Sequence, residues 1–234
     1  MRYFFAADIP QIGERLTLER DEAHHLFGTL RAREGDEIGV LNGNGVAAVA
    51  QVENAKEHTL IISSRTIFAP PPRRVHLYTA APRRKELDLL LKQCAETGAG
   101  SVHLVECARS VALPDANAMA RWQGIILEGC KQAHNFFAPQ MLEAVKLTEA
   151  VADAKASGYR LLFGKVAAAP LPQLSAAGDI ALFIGPEGGF TPDEEAFLAA
   201  EGATAWHFAR NVLRLETAAV GGILLLNYLM GETI

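Results

Sequence analysis

Two stretches of this 234-residue chain combine residue types that chemistry can use. The first, Ile184-Gly185-Pro186-Glu187-Gly188-Gly189-Phe190-Thr191, follows the apolar run Ile180-Ala181-Leu182-Phe183. Glycines at 185, 188 and 189 carry no Cβ to block a ligand and tolerate positive φ, while Pro186 stiffens the turn. A strand ending in such a turn lets a ligand reach main-chain N–H and C=O groups. The second stretch, Asn211-Val212-Leu213-Arg214-Leu215-Glu216-Thr217-Ala218, sets a cation and a carboxylate two residues apart among apolar neighbours. Two such turns suggest one site. Plainer readings stay open: a tight strand-to-helix connection, leucines that fill a core, and Glu216 as an acid favoured in a first helical turn.

These stretches need elements to position them. Thr191-Pro192-Asp193-Glu194-Glu195 reads as an N-cap, a proline at the first helical position and acids in the first turn, so a helix is predicted over Pro192 to Ala200. Further helices are predicted over Arg84 to Thr97, Asn117 to His134, Leu147 to Ser157 and Leu215 to Met230, and strands over Val75 to Ala80, Val102 to Glu106, Tyr159 to Phe163, Ile180 to Ile184 and Ala205 to Phe208. Strand and helix in alternation is the signature of a largely parallel α/β sheet. Ala69-Pro70-Pro71-Pro72 cannot continue a helix or a central strand, which puts a domain break near residue 70 and domains at 1–70 and 71–234. Before the break come short strands at Arg2 to Ala6, Glu37 to Leu41, Val46 to Val52 and Thr59 to Ile67, with a hairpin turn at Asn42-Gly43-Asn44-Gly45. One helix is predicted over Asp21 to Arg31, with Asp21 as its cap. A small β-barrel with one helix is the expectation for this half.

Composition narrows the function classes. Half the residues are hydrophobic, so a folded core is expected. The start has neither a long apolar run nor a small-residue cleavage site, and the apolar stretch Ala218 to Met230 is too short to span a bilayer; no membrane role is expected. Cys94, Cys107 and Cys130 lack metal-ligand spacing and are odd in number, so we expect no metal site, no disulfide framework, and buried thiols in a reducing cytoplasm. A net charge of −5 would argue against nucleic acid, yet Arg73, Arg74, Arg83, Arg84, Lys85 and Lys92 cluster within twenty residues. The glycine-rich turn matches neither G-x-G-x-x-G nor a P-loop, which argues against a dinucleotide-dependent oxidoreductase.

The turn Gly-Pro-Glu-Gly-Gly-Phe-Thr, the segment Leu213-Arg214-Leu215-Glu216-Thr217-Ala218, the start Met1-Arg2-Tyr3-Phe4-Phe5 and the helix from His24-His25-Leu26 to Leu30-Arg31 together resemble the RsmE family. Those proteins are small-subunit ribosomal RNA methyltransferases of the SPOUT superfamily that act on N3 of the uridine at position 1498 of 16S ribosomal RNA. The resemblance runs through essentially the whole chain in order. It implies an α/β fold with a C-terminal SPOUT-type trefoil-knotted domain and a small N-terminal PUA-like β-barrel. It implies S-adenosylmethionine as cofactor, held by Leu161, Phe163, Gly164, Ile184, Gly185, Pro186, Glu187, Gly188, Gly189, Leu213, Leu215, Thr217 and Ala218. For a uridine N3 that must lose its proton, Arg214 becomes the catalytic candidate that steadies the developing anion and Glu216 the one that takes the proton or orients Arg214, with Glu187 competing with both; Arg2, His25, Arg31, Arg83, Arg84 and Lys85 become the RNA-binding candidates. Implied partners are 16S ribosomal RNA or the assembled small subunit, and a second copy in a homodimer. An enzyme methylating another nucleoside or ribose O2′, or a catalytically silent RNA-binding protein, is the alternative. The chain departs from the family pattern at Lys92-Gln93, at Lys131-Gln132, and at Asn135, where Arg is usual.

Overall fold

The computed structural model describes residues 1–110, 118–166, 168 and 178–231. Its chain divides into two units, Met1–Pro70 with Leu127–Ala138, and Pro71–Ile126 with Pro139–Ile234.

The first unit is a five-stranded sheet in the order β1-β3-β4-β5-β2. Its strands are β1 (Tyr3–Phe5), β2 (Arg15–Thr17), β3 (Glu37–Leu41), β4 (Val46–Asn54) and β5 (Thr59–Ile67). β1 and β3 run parallel and the other pairs antiparallel, so β1 and β2 form the two edges of a half-barrel. Register shifts at Val49/Ala50 and Val52/Asn54 bend the long β4–β5 pair. Phe4, Leu16, Leu26, Val40, Ala50, Leu60 and Ile62 fill its core. The hairpin at Asn42 forms as predicted, with the Asn42 side chain accepting from the N–H groups of Asn44 and Val46. The helix differs from expectation. A single turn, α1 (Arg20–Ala23), passes into a π-helical turn at His24–Thr29, and the capping position is Glu19 rather than Asp21. Three-residue β2 was not predicted, because an edge strand that short carries too little alternation to read.

Residues 127–138 join this unit through a concrete set of bonds. Phe136 O accepts from Gly45 N–H and Gly43 O from Ala138 N–H, and Lys131 Nζ lies 2.5 Å from both Glu22 and Glu128. Burial pulls the Lys131 pKa down, and the two carboxylates more than offset it, leaving it raised. Asn135 accepts from Phe137 N–H at 2.9 Å. Two family departures, Lys131 and Asn135, thus hold structure together here.

The second unit is a six-stranded, all-parallel sheet in the order β11-β9-β10-β6-β7-β8. Its strands are β6 (Val75–Thr79), β7 (Ser101–Glu106), β8 (Gln140–Lys146), β9 (Arg160–Gly164), β10 (Ile180–Ile184) and β11 (Thr204–Trp206). The helices are α2 (Arg84–Glu96), α3 (Met119–Ala133, which from Leu127 onward belongs to the first unit), α4 (Leu147–Ala156), α5 (Pro192–Ala200) and α6 (Leu215–Met230). The expected α3 start at Asn117 lies outside the described residues. β8 was not predicted: it is an edge strand whose Gln-Met-Leu-Glu-Ala-Val-Lys sequence is polar on alternate positions only in part. One face of the sheet buries Tyr78, Val105, Leu161, Phe163, Ala181 and Phe183 beneath α4 and α5. On the other face α6 approaches β10 closely, because a Cβ on Gly222 would lie 2.7 Å from Leu182 Cδ2. Of the thiols, Cys94 and Cys130 are buried and Cys107 half-buried; burial pushes all three up to about 12.

The N-terminal ends of the strands carry a largely buried polar network, closed by the partly exposed Asp179. His76 Nδ1 lies 2.7 Å from Ser101 Oγ, which lies 2.8 Å from His103 Nε2, and His76 Nε2 lies 3.1 Å from Asp179. Arg74 N–H donates to the other Asp179 oxygen, and Tyr78 O–H donates to Asp153 on α4. The His103 ring stacks on Tyr78 and the His76 ring on Tyr159. Burial holds both imidazoles neutral, lowering His76 against the pull of Asp179 and pushing His103 down to about 4.

Candidate functional site

The opposite, C-terminal end of the same sheet carries the cavity. In parallel α/β sheets the loops leaving the strand ends are where ligands bind, since helix N-termini and free backbone groups converge there. A cavity of about 280 Å³ opens between the turn after β10 and the segment joining β11 to α6. The turn is built as its residues dictate. Thr191 caps α5 by accepting from Glu194 N–H at 3.2 Å, and Glu194 Oε2 accepts from Thr191 N–H at 2.7 Å, a reciprocal capping box with Pro192 at the first helical position. Gly189 alone of the three glycines takes positive φ, at 68°. Gly185 serves close approach instead, since a Cβ there would lie 3.0 Å from Phe190 N.

Ten of the predicted cofactor residues line this one cavity: Gly164, Ile184, Gly185, Pro186, Glu187, Gly188, Gly189, Leu213, Leu215 and Ala218. Leu161 and Phe163 lie in the core below it, and Phe163 touches it indirectly, edge-on to the cavity residue Phe190 at 6.3 Å between ring centres. Thr217 is exposed and off the wall. Arg214 is the exposed N-cap residue of α6, with no side-chain bond across the cap, and Glu216 sits half-buried in the first turn. Neither lines the cavity, though Leu213 and Leu215 on either side of Arg214 do.

The sequence did not point to Lys165, Trp206 or Phe208, which complete the wall. Trp206 O accepts from Lys165 N–H at 3.0 Å, Lys165 Nζ pairs with Glu195 at 2.6 Å, and the Trp206 and Phe208 rings lie 4.3 Å apart. An aromatic following the last strand was the available signal, but single aromatics are common in cores. The result is a slot with apolar and aromatic sides and a glycine-rich backbone edge. That combination suits a flat heterocycle read through main-chain N–H and C=O groups.

Arg83, Arg84 and Lys85 begin α2 and are exposed. Ala80 N–H donates to Ile184 O, which brings the loop leading to these cations beside the glycine-rich turn. Three cations at a helix N-terminus oppose the macrodipole, so their placement favours an anion nearby over helix stability. In the first unit, Arg2, His25 and Arg31 are all exposed. The His25 ring lies 5.9 Å from that of Phe4, and Arg31 takes a left-handed φ of 56° where the π-helical turn ends. Among the described residues no group of three His, Cys, Asp or Glu side chains is placed to hold a metal ion, and no helix is long and apolar enough to cross a membrane.

Comparison with known proteins bears on this geometry. The RNA methyltransferase domain model matches residues 69–227, and the RNA methyltransferase PUA domain model matches residues 18–63. The ribosomal RNA small subunit methyltransferase E of Mycobacterium bovis is 28% identical over 228 residues, covering 92% of this chain and 87% of that protein. The protein of the same name from Bacillus subtilis is 24% identical, covering 97% and 96%. Among solved structures, the ribosomal RNA small subunit methyltransferase E of Neisseria gonorrhoeae bound to S-adenosyl methionine superposes with a TM-score of 0.89 at 26% identity over 98% of each chain. A putative methyltransferase from Legionella pneumophila with bound SAM gives 0.87 at 25% identity, covering 97% and 96%.

Proposed function

This chain belongs to the RNA methyltransferase family, and on that premise we propose that its cavity holds S-adenosylmethionine for methylation of a uridine N3 in small-subunit ribosomal RNA. One observation carries the reading. A glycine-rich backbone edge and an apolar, aromatic wall enclose a single slot at the C-terminal end of a parallel sheet. Backbone groups of residues 185–190 would read the adenine edge, and Ile184, Leu213, Leu215 and Phe208 would cover its faces. The target is the uridine at position 1498 that the family resemblance implies.

When bound, S-adenosylmethionine supplies a methyl group on a sulfonium. The chain's own part is to orient the base and manage the N3 proton. N3–H is a weak acid, so a cation beside the developing anion lowers the barrier; Arg214, exposed beside the cavity wall and making no cap bond, takes this role. Glu216 either receives the proton or orients Arg214. Holding the reactants in line contributes several kcal/mol by itself. Arg83, Arg84 and Lys85, and in the other unit Arg2, His25 and Arg31, bind RNA phosphates and leave the unstacked base to the cavity.

Residues 1–70 form the RNA-binding domain and 71–234 the knotted methyltransferase domain in this reading, and the enzyme works in the cytoplasm on 16S ribosomal RNA or the small subunit. A second copy covers α6, whose Leu224, Leu225, Tyr228 and Leu229 are 40–69% exposed. Leu225→Glu should therefore shift sedimentation from dimer to monomer. The deciding experiment is calorimetric titration with S-adenosylmethionine followed by methylation of small subunits and digestion of the RNA. Binding and 3-methyluridine are the expected results; a methylated ribose or another base would replace the proposed target. Arg214→Ala should keep the cofactor affinity and slow transfer by roughly 100-fold.

A further inference from the structure

The turn Cys107–Ser110, just past β7, reaches across to the glycine-rich turn. Arg109 Nη1 donates to Gly188 O at 2.6 Å and to Phe190 O at 3.3 Å. Its neighbour Ala108 donates its N–H to Glu194 Oε1 at 2.7 Å, the same carboxylate whose other oxygen accepts from Thr191 N–H. Two peptide planes of the turn are thereby held at both ends. In the Gly188–Gly189 plane the carbonyl meets Arg109, while the N–H donates to Pro186 O at 2.7 Å. In the Phe190–Thr191 plane the carbonyl meets Arg109 and the N–H meets Glu194. A plane tied at one end rotates by compensating ψ and φ changes; tied at both, it rotates only by breaking a charge-assisted bond. The arginine stem also runs against the turn, since a Cβ on Gly188 would lie 3.2 Å from Arg109 Cδ. Between them lies a single plane, Gly189–Phe190, whose carbonyl and N–H take part in none of these bonds.

We propose that Arg109 is a positioning residue of the cofactor site: it orients the peptide planes of the glycine-rich turn before S-adenosylmethionine arrives, and so sets affinity rather than the rate of transfer. The inference rests on the reading of the cavity as the S-adenosylmethionine site. It also assigns a second purpose to Gly188, which must be small for the arginine as well as for the ligand.

The test compares wild type, Arg109→Ala and Arg109→Lys by calorimetric titration with S-adenosylmethionine, by hydrogen exchange of residues 185–190 without ligand, and by transfer rate at saturating cofactor. Loss of two charge-assisted bonds should raise Kd about tenfold or more in Arg109→Ala and speed exchange in the turn, with the saturated rate within about threefold of wild type. Arg109→Lys, which keeps a cation able to reach one carbonyl at a time, should recover part of the affinity. A merely structural role would lower the thermal midpoint of both variants without this split between Kd and rate. Wild-type Kd in Arg109→Ala, or a slower saturated rate at unchanged Kd, would overturn the inference alone. If Arg109→Ala does not fold, a wild-type Kd in Arg109→Lys overturns it equally. No binding by the wild-type chain would overturn the cofactor reading and the inference with it.

Discussion

The two ends of the parallel sheet are both polar, and they are polar in opposite ways. At the N-terminal end, His76, Ser101, His103 and Asp179 satisfy one another, with both imidazoles stacked on aromatic rings and only Asp179 partly exposed. At the C-terminal end, the turn after β10 ties only some of its peptide planes, through Arg109, Pro186 and Glu194, and presents the rest to a cavity. Side-chain polarity sealed by side chains makes a rigid base. Backbone polarity left facing a slot makes a binding surface. The comparison teaches that the count of polar groups does not mark the site; what marks it is which of them the protein leaves for something else.

The sharpest way to break this contrast is Gly185→Val. A Cβ there would meet Phe190 N at 3.0 Å and its ring at 3.2 Å, so the turn must shift. S-adenosylmethionine affinity should fall about 100-fold or more by titration; affinity within threefold of wild type would remove the turn from the site. Next in size is acid sensitivity at the sealed end. His103 stays neutral in the folded chain down to about pH 4, whereas the unfolded imidazole takes a proton near 6.5. Between those values the unfolded state binds more protons, so this contribution is complete above pH 6.5 and is lost as pH falls toward 4. Urea unfolding should show a loss of about 2 kcal/mol from pH 7.5 to pH 5, and His103→Gln should flatten that part of the profile.

A smaller effect is expected where the open end is tied down. Glu194→Ala removes half of the capping box and the acceptor of Ala108 N–H, and should cost about 1–2 kcal/mol in denaturant unfolding. Stability unchanged to within a few tenths would mean the turn is held by Arg109 alone. Smallest of all is Val212→Ser. Val212 lines the cavity but is 77% exposed, so cofactor affinity should change less than threefold, and a tenfold loss would move the centre of the site toward that rim.

What could be read from the chain alone follows the range of the interactions. The glycine-rich turn, its Thr191 cap and Pro192 were legible because their chemistry is complete within eight residues. So was the hairpin at Asn42. Arg109 was not, since its hydrogen bond to the turn joins residues 79 apart in sequence, and a single arginine within a short turn has no local signature. The polar network drew on His76 of β6, Ser101 and His103 of β7, and Asp179 just before β10, none of which has a partner close in sequence that would mark it. The family resemblance put Leu161 and Phe163 among the cofactor contacts together with Gly164, which does line the cavity; alternation along β9 turns the Leu161 and Phe163 side chains to the core instead. The π-helical turn at His24 escaped because i,i+3/i+4 periodicity cannot distinguish it from an α-helix over so few residues.

The strand order carries a temporal consequence. β6 lies between β7 and β10, with Val75 paired to Ile180. At a synthesis rate of about 5–20 residues per second, an interval of roughly 5–20 s separates the emergence of these partners. During that time one edge of β6, a strand of Val, His, Leu, Tyr and Thr with every residue buried in the finished protein, has no neighbour to bond. The nascent sheet is therefore most exposed to chaperones, and to mispairing, before its own glycine-rich turn has been made.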